Sequence, residues 1–342
     1  MEKKKIKVAV GMSGGVDSSV AAALLKEQGY EVTGVHLECW DEPGCKVDPN
    51  RKDALRVGLK LGIKMKVLDL RKEYEKRVIK WFYEELRKGR TPNPDVVCNR
   101  EIKFGLFLDW AMKQGFEYIA TGHYARLRDG RLLMGVDKKK DQTYFLGTLN
   151  KRQLDKVMFP VGEMIKDEVR QEAKRRGLHV WSKKGSSGIC FIGDKLSFQE
   201  FLKQRVKEHE GEVVSMKGEV IGVHKGIEFY TIGQRHGFKV KQRSDKDRPW
   251  YVMRKEAKEN RLVVGRKKDL QRREFEVEEW QWIGGRRSKG KIECRIRHGG
   301  RLIGCEIKGR QVRLDKAEQG IAEGQVAVIY KGEECLGGGV IS

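Results

Sequence analysis

The first regular structure of the chain starts at Lys7-Val8-Ala9-Val10-Gly11-Met12-Ser13-Gly14-Gly15-Val16-Asp17-Ser18-Ser19. Three consecutive apolar residues, Val8 to Val10, read as a buried strand, and Ser18 to Gly29 read as a helix. The turn between them is rich in glycine. Such a turn lets backbone N–H groups approach an anion, and the helix that follows adds the positive end of its dipole. It lacks the Gly-Lys-Ser/Thr ending of a P-loop and the spacing of a dinucleotide-binding G-x-G-x-x-G. Without that lysine, transfer of a terminal phosphoryl group is not expected. Gly11, Met12, Ser13, Gly14, Gly15, Val16, Asp17 and Ser18 are the candidate nucleotide-binding residues. The plainer reading is a glycine turn with Ser18 as helix cap.

Outward from this turn, strand and helix alternate. EVTGVHLECW (31–40) and KMKVLDL (64–70) are strand-like, whereas RKDALRVGLKLG (51–62) and EKRVIKWFYEELRKG (75–89) are helical. The pattern continues through KFGLFLDWAMKQG, YIATGHY and DEVRQEAKRRG to a helical LSFQEFLKQRVKEHEG (196–211). Alternation of this kind predicts an α/β unit on a parallel sheet. After Gly211 the texture changes to short segments broken by glycine, GEVVSMKGEVIGVHKG, FYTIGQRHG, PWYVMRKEA and RLVVGR, which read as antiparallel strands. From Phe275 onward, strand and turn repeat at the spacing of a small barrel or sandwich. The expected domains are 1–197, a β-rich central domain with a leading helix at 198–268, and a β-barrel at 269–342.

Of the 342 residues, 39% are hydrophobic and 35% charged, with only 6 prolines, which excludes disordered and collagen-like chains. The 72 Lys and Arg against 49 Asp and Glu leave a net charge of +23, more than solubility needs, so a polyanionic partner is expected. No apolar run approaches the roughly 20 residues of a membrane span, and the charged start passes directly into the first strand, so a cytoplasmic protein is expected. Seven scattered cysteines, with no C-x-x-C pair and no zinc-finger spacing, read as reduced thiols. Cys294, Cys305 and Cys335 lie in alternating β segments and are expected in the core.

The SGGVDS turn resembles the pyrophosphate (PP) loop of the ATP pyrophosphatase superfamily, which splits ATP between its α and β phosphates. That loop implies ATP and adenylation of an oxygen without naming the acceptor, so the cysteines must discriminate. Thr91-Pro92-Asn93-Pro94-Asp95-Val96-Val97-Cys98-Asn99 sets a carboxylate and a thiol three residues apart between helical segments. Ser186-Ser187-Gly188-Ile189-Cys190-Phe191-Ile192-Gly193 holds a second cysteine between glycines. Each thiol is either a nucleophile or sulfur carrier with a lowered pKa, or a small buried residue.

TPNPDVVCNREIKFG, ATGHYAR, KKKDQTYFLGTL, FPVGE, SSGICFIG, YTIGQRHG, PWYV and CLGGGVI, in this order and over essentially the whole chain, resemble the tRNA-specific 2-thiouridylases. The resemblance implies an adenine-nucleotide α-hydrolase-like catalytic domain, a tRNA-binding central domain, and adenylation of O2 of the wobble uridine. A persulfide sulfur then replaces that oxygen, giving 2-thiouridine, AMP and pyrophosphate. Matched residue by residue, Cys98 is the nucleophile, Cys190 the persulfide carrier and Asp95 the carboxylate beside the base. Leu37 and Gly122 match nucleotide-binding positions. Asn93, Pro94, Asp95, His123, Lys140, Asp141, Gln142, Arg297 and Gln325 match tRNA contacts, with His298 where the family has an aromatic residue.

The resemblance also implies Mg2+, acceptors reading Lys, Glu and Gln codons, a cysteine desulfurase or relay protein as sulfur donor, and a monomer. Related thiolases hold an iron-sulfur cluster on three cysteines, and a cluster on Cys98, Cys190 and Asp95 with one open iron is the further cofactor reading; only two cysteines stand in motif positions here, so another ligand would come from outside. Cys39 and Cys45, between strand and helix, are read as metal ligands or as ordinary thiols. Two other functions compete: a small-molecule synthetase using the same loop, and a non-catalytic tRNA-binding protein.

Overall fold

Val8, Ala9 and Val10 have no solvent exposure, because a strand in the middle of a parallel sheet is covered on both faces. The computed structural model describes residues 5–40, 47–185, 191–192, 197–240, 249–285 and 290–342. In the first unit β1 (Lys7–Gly11), β2 (Glu31–Glu38), β3 (Lys64–Asp69), β4 (Tyr118–Ala120) and, later in the chain, Val157–Met158 form one parallel sheet. The strand order is β3-β2-β1-β4 with Val157–Met158 at the far edge. The order runs outward from β1 in both directions, so the crevice outside the C-terminal ends of β1 and β4 is a topological switch point. Helix α1 (Val16–Glu27) leaves β1 there, and its small face, Ser19, Ala21, Ala22 and Ala23, packs it closely into the unit.

The expected parallel α/β unit is thus present, but one segment of it belongs elsewhere. Ala125–Arg128 and Arg131–Met134, numbered β5 and β6, form a hairpin whose turn, Asp129-Gly130, has φ of 51° and 71°. Positive φ at both turn residues suits the twist of a two-residue hairpin. This hairpin pairs through Leu132 and Leu133 with Glu334 and Cys335 near the C-terminus. Gly135, Asp141 and Thr143 behind it form a buried polar knot. The Asp141 carboxylate accepts from Gly135 N–H at 3.2 Å, from Thr143 Oγ1 at 2.9 Å and from Arg295 Nη1 at 2.8 Å.

The central sheet consists of Gly211–Ser215, Val220–His224, Lys239–Val240, Tyr251–Glu256 and Arg261–Gly265. Three expectations are corrected here. Arg261–Gly265 pairs with Gly211–Ser215 in parallel, since a long crossover separates them. FYTIGQRHG is not a strand: a 3-10 turn over Ile227–Phe229 leads into further turns at Gly233 and Gly237, both at positive φ. The helix expected over 196–211 is confined to Phe198–Lys203, closed at its start by reciprocal Ser197–Glu200 hydrogen bonds. Val206 N–H still bonds to Leu202 O at 2.8 Å, but beyond it the chain leaves the helix axis and His209 N–H bonds to Lys225 O at 3.1 Å. That core crosses residue 197. Tyr74, Ile79, Phe82 and Leu86 of the first unit cluster with Phe201, Leu202, Val213, Tyr230 and Val264.

The last unit is the barrel. Arg272–Glu276, Gln311–Glu318, Ile303–Lys308, Ile292–Arg295, Val326–Lys331 and Glu334–Val340 pair antiparallel in that order. The ring returns on itself where Val277 bridges Ile341. Cys294 and Cys305 lie in its interior, and Cys335 is buried where the hairpin docks. Among the described residues no helix is long and apolar enough to cross a membrane.

Asp141→Ala would strand the Arg295 guanidinium in a largely buried site, at a cost of about 3 kcal/mol. Urea unfolding followed by tryptophan fluorescence should show the first transition moving to lower denaturant. An unchanged midpoint would mean that the knot does not hold the barrel to the first unit.

Candidate active site

At the end of β1 the turn folds back on its own serines and leaves the start of α1 open. Gly14 has φ +73°, and a Cβ there would lie 2.1 Å from Asn50 O, so only glycine fits. Gly15 caps α1 without any side-chain hydrogen bond, leaving the first-turn N–H groups to an incoming anion. The hydroxyls tie the turn together instead: Ser13 N–H donates to Ser18 Oγ at 3.2 Å and Ser19 Oγ to Gly15 O at 2.7 Å. Gly122, at the end of β4, abuts this helix start, since a Cβ there would lie 2.5 Å from Ser18 N. Leu37 is half-buried near the end of β2 and packs on the core of the unit.

Two lysines complete the cradle. Lys166 Nζ sits 2.6 and 2.8 Å from the two Asp17 carboxylate oxygens, and Tyr124 OH donates to the same carboxylate at 2.7 Å. Lys183 Nζ donates to Gly14 O at 2.9 Å, Asn50 Oδ1 at 2.8 Å and Asp53 Oδ2 at 2.6 Å. A peptide carries its C=O and N–H on opposite sides, so holding the Gly14 carbonyl toward Lys183 turns the Gly15 N–H toward the turn interior. Neither lysine was legible in the sequence, because each meets its partners 130 to 169 residues away and no local pattern marks it.

The second half of the site is the helix that begins at Pro94. Asn93 caps it, accepting from Val96 N–H at 3.4 Å, with Pro94 and Asp95 in the first turn. At Cys98 the winding changes from α to π, a local irregularity often found at functional positions. The Cys98 thiol is buried, in one cluster with Val97, Ile102 and Phe191. Cys190 and its neighbours Ser186 to Ile189 lie outside the described residues, as does Cys45, whereas Cys39 packs against that same cluster. Farther along, a Cβ on Gly11 would lie 3.6 Å from Phe107 Cε1, so this helix lies over the end of β1.

The barrel holds the start of this segment. Thr91 N–H donates to Glu323 O at 2.7 Å and Gln325 Nε2 donates to Thr91 O at 2.7 Å. Arg90 pairs with Glu278 at 2.7 Å and with Glu85 at 3.0 Å. His298 lies 4.4 Å from the Phe145 ring, and burial pushes its pKa below the ordinary histidine range, against the opposing pull of the Asp141 and Asp95 carboxylates. Asn93, Asp95, His298 and Gln325 are therefore gathered at one place by two units.

Other candidates lie differently. His123 is buried against Phe104 and Phe159 with Nδ1 2.7 Å from Thr121 Oγ1, and burial holds it well below the ordinary histidine range, hence neutral. Lys140 is exposed, Gln142 accepts from Tyr124 N–H at 3.0 Å, and the Asp141 carboxylate is enclosed in its knot. Arg297 is half-exposed and reaches Gln319 O at 2.9 Å and Glu318 at 3.3 Å. Among the described residues no three His, Cys, Asp or Glu side chains are grouped as a metal site.

Family models match three stretches: the tRNA methyl transferase HUP domain over 6–194, the tRNA methyl transferase PRC-barrel domain over 199–266 and the aminomethyltransferase beta-barrel domain over 272–341. The tRNA-specific 2-thiouridylase MnmA of Streptococcus uberis is 43% identical over 359 residues, covering 99% of this chain and 96% of that one. The tRNA-specific 2-thiouridylase MnmA 2 of Geobacillus kaustophilus is 43% identical over 353 residues, covering 98% and 94%. Among solved structures, the tRNA thiolase NcsA of Methanococcus maripaludis with its 4Fe-4S cluster is 21% identical over 59% of this chain and 67% of that one, with a TM-score of 0.38, too distant to carry an argument. Near-complete coverage at this identity, with the phosphate cradle and the Asn93–Cys98 segment folded as described, makes the chain a member of the tRNA-specific 2-thiouridylase family.

Proposed function

We propose that the chain is a tRNA 2-thiouridylase that uses ATP. The observation that carries this is an uncapped helix start at the switch point of a parallel sheet, in a chain 43% identical to named thiouridylases over 99% of its length. The acceptor is a uridine, as in the named relatives, and its O2 must be adenylated because an oxygen on a ring carbon is a poor leaving group. Uridine O2 attacks the α phosphorus of ATP, and pyrophosphate departs toward Gly14, Gly15 and Ser18. Lys183 keeps the turn in its anion-receiving shape. Magnesium would come with ATP as a clamp on its phosphates.

Sulfur is delivered as the outer sulfur of a persulfide on Cys190. In one route that sulfur bonds to C2 as AMP leaves, and the Cys98 thiolate then attacks the Cys190 sulfur to release the thiouridine. In the other, Cys98 attacks first and frees hydrosulfide, which displaces AMP. Both routes balance alike: the two thiols supply the electron pair that reduces the persulfide sulfur, and a Cys98–Cys190 disulfide remains. Asp95, in the first turn of the Cys98 helix, is the group assigned to the uracil ring. The +23 charge supplies affinity for the tRNA backbone, with Lys140 and Arg297 among its exposed carriers. Sulfur is handed over by a desulfurase or relay protein, and the substrates are tRNAs reading Lys, Glu and Gln codons.

With tRNA present, ATP should yield AMP and pyrophosphate, and Gly14→Ala should abolish this turnover because its Cβ meets the Asn50 backbone. Chromatography of the nucleotides decides: ADP as product would refute the assignment. Cys98→Ser and Cys190→Ser should each abolish thiolation while leaving tRNA affinity nearly unchanged. Mass spectrometry after incubation with a persulfide donor should find added sulfur on Cys190 in Cys98→Ser and none on Cys98 in Cys190→Ser; the opposite pattern would exchange the two roles. Affinity for tRNA should fall steeply with salt, log Kd rising with log salt at about 0.7 to 0.9 per phosphate neutralised. A flat titration would require another use for the charge.

A further inference from the structure

Lys255 lies on the central-unit strand Tyr251–Glu256, and its Nζ joins a carbonyl of that unit to one of the first unit. It donates to the Arg90 carbonyl at 2.9 Å and to the Tyr230 carbonyl at 3.0 Å. The next two polar groups of that backbone, Thr91 N–H and Thr91 C=O, are held by Glu323 O and Gln325 Nε2 of the barrel. Three consecutive groups of one short stretch are thus fixed from outside their own unit. The chain then runs through Pro92 to Asn93 and Pro94, where the Cys98 helix begins. Two prolines in three residues, each with φ locked near −65°, leave little slack between Thr91 and Asp95.

We propose that Lys255 is a positioning residue for thiolation: from the central unit it fixes the Arg90 peptide, and through the stiff segment after it the placement of Asp95 and Cys98. This rests on the roles given to those two residues above. The surroundings suit a held ammonium. Desolvation pushes Lys255 down to about 8, against the opposing pull of Glu228 in the central unit and Glu323 in the barrel. It therefore carries its charge below that pH, where its bonds to the two carbonyls are charge-assisted and roughly twice as strong as neutral ones. Arg90, the other cation at this point, is already engaged by Glu85 and Glu278.

The test compares the full-length chain with Lys255→Met, which keeps the aliphatic stem without a donor, and Lys255→Arg, which keeps donors. Amide hydrogen exchange over residues 90–99, single-turnover thiolation at saturating ATP and tRNA, and tRNA affinity are measured on each. For Lys255→Met, exchange over 90–99 should be about tenfold faster and the thiolation rate constant about tenfold lower, the factor one charged hydrogen bond is worth. Affinity for tRNA should stay within about twofold, as no phosphate contact is removed. Lys255→Arg should recover most of both losses. Unchanged exchange over 90–99, faster exchange spread evenly over β1 and β4, or an arginine variant no better than methionine would each overturn the proposal. If Lys255→Met does not fold, Lys255→Gln, a neutral donor, takes its place, with exchange and rate expected between those of the unaltered chain and a complete loss of protection at 90–99. If the unaltered chain fails to thiolate tRNA, the functional reading falls, while the exchange measurements still decide whether Lys255 holds the segment.

Discussion

The backbone of Arg90 and Thr91 is the point on which the site depends. Its carbonyls and amide are bonded to Lys255 of the central unit and to Glu323 and Gln325 of the barrel, and the Arg90 side chain adds ion pairs to Glu85 and Glu278. Buried backbone polar groups must be paired somewhere, so the three units satisfy one another here. A short proline-stiffened stretch then carries that placement to Asn93, Asp95 and Cys98. The barrel and the central unit are therefore part of the active-site frame as well as surfaces for a polyanion.

At the other end of the site the problem is electrostatic. A parallel sheet with its switch point between β1 and β4 brings a glycine turn, the start of α1 and Gly122 to one crevice. Helix amides supply the anion-binding groups, and Lys166 and Lys183 are tethered by Asp17 and by Asp53 with the Gly14 carbonyl. Tethered cations hold the shape of the turn at little conformational cost when an anion arrives. His123 beside it is neutral because burial strips it of water, so it adds no charge of its own to the crevice.

Much of this was legible in sequence. The strand, glycine turn and helix over residues 7–27, the alternation that makes a parallel sheet and the barrel strands beyond Phe275 all follow from short-range periodicity and turn chemistry. The core placement of Cys294, Cys305 and Cys335 follows from alternation in the same way. Even the missed hairpin had a local mark, since Asp129-Gly130 between apolar runs is a strong hairpin signal. Its pairing with the C-terminal strand had none. The helix at 198 was overestimated because its apolar residues are helix-spaced through Val206, whereas the bond from His209 N–H to Lys225 O draws the chain off the helix axis.

What the sequence by itself determined is chemical and local: a phosphate turn without a P-loop lysine, two cysteine motifs, a strongly basic chain and the order of its units. Tertiary structure alone decided which distant groups meet. Lys183 finds Gly14, Arg295 finds Asp141, Gln325 finds Thr91 and Lys255 finds Arg90 across 154 to 234 positions of chain. Periodicity is set by neighbours a few residues apart, whereas these contacts exist only once the units have packed and their buried polar groups must find partners. The same requirement turns Asp141, an exposed-looking residue in KKKDQ, into the enclosed carboxylate that joins the barrel to the first unit.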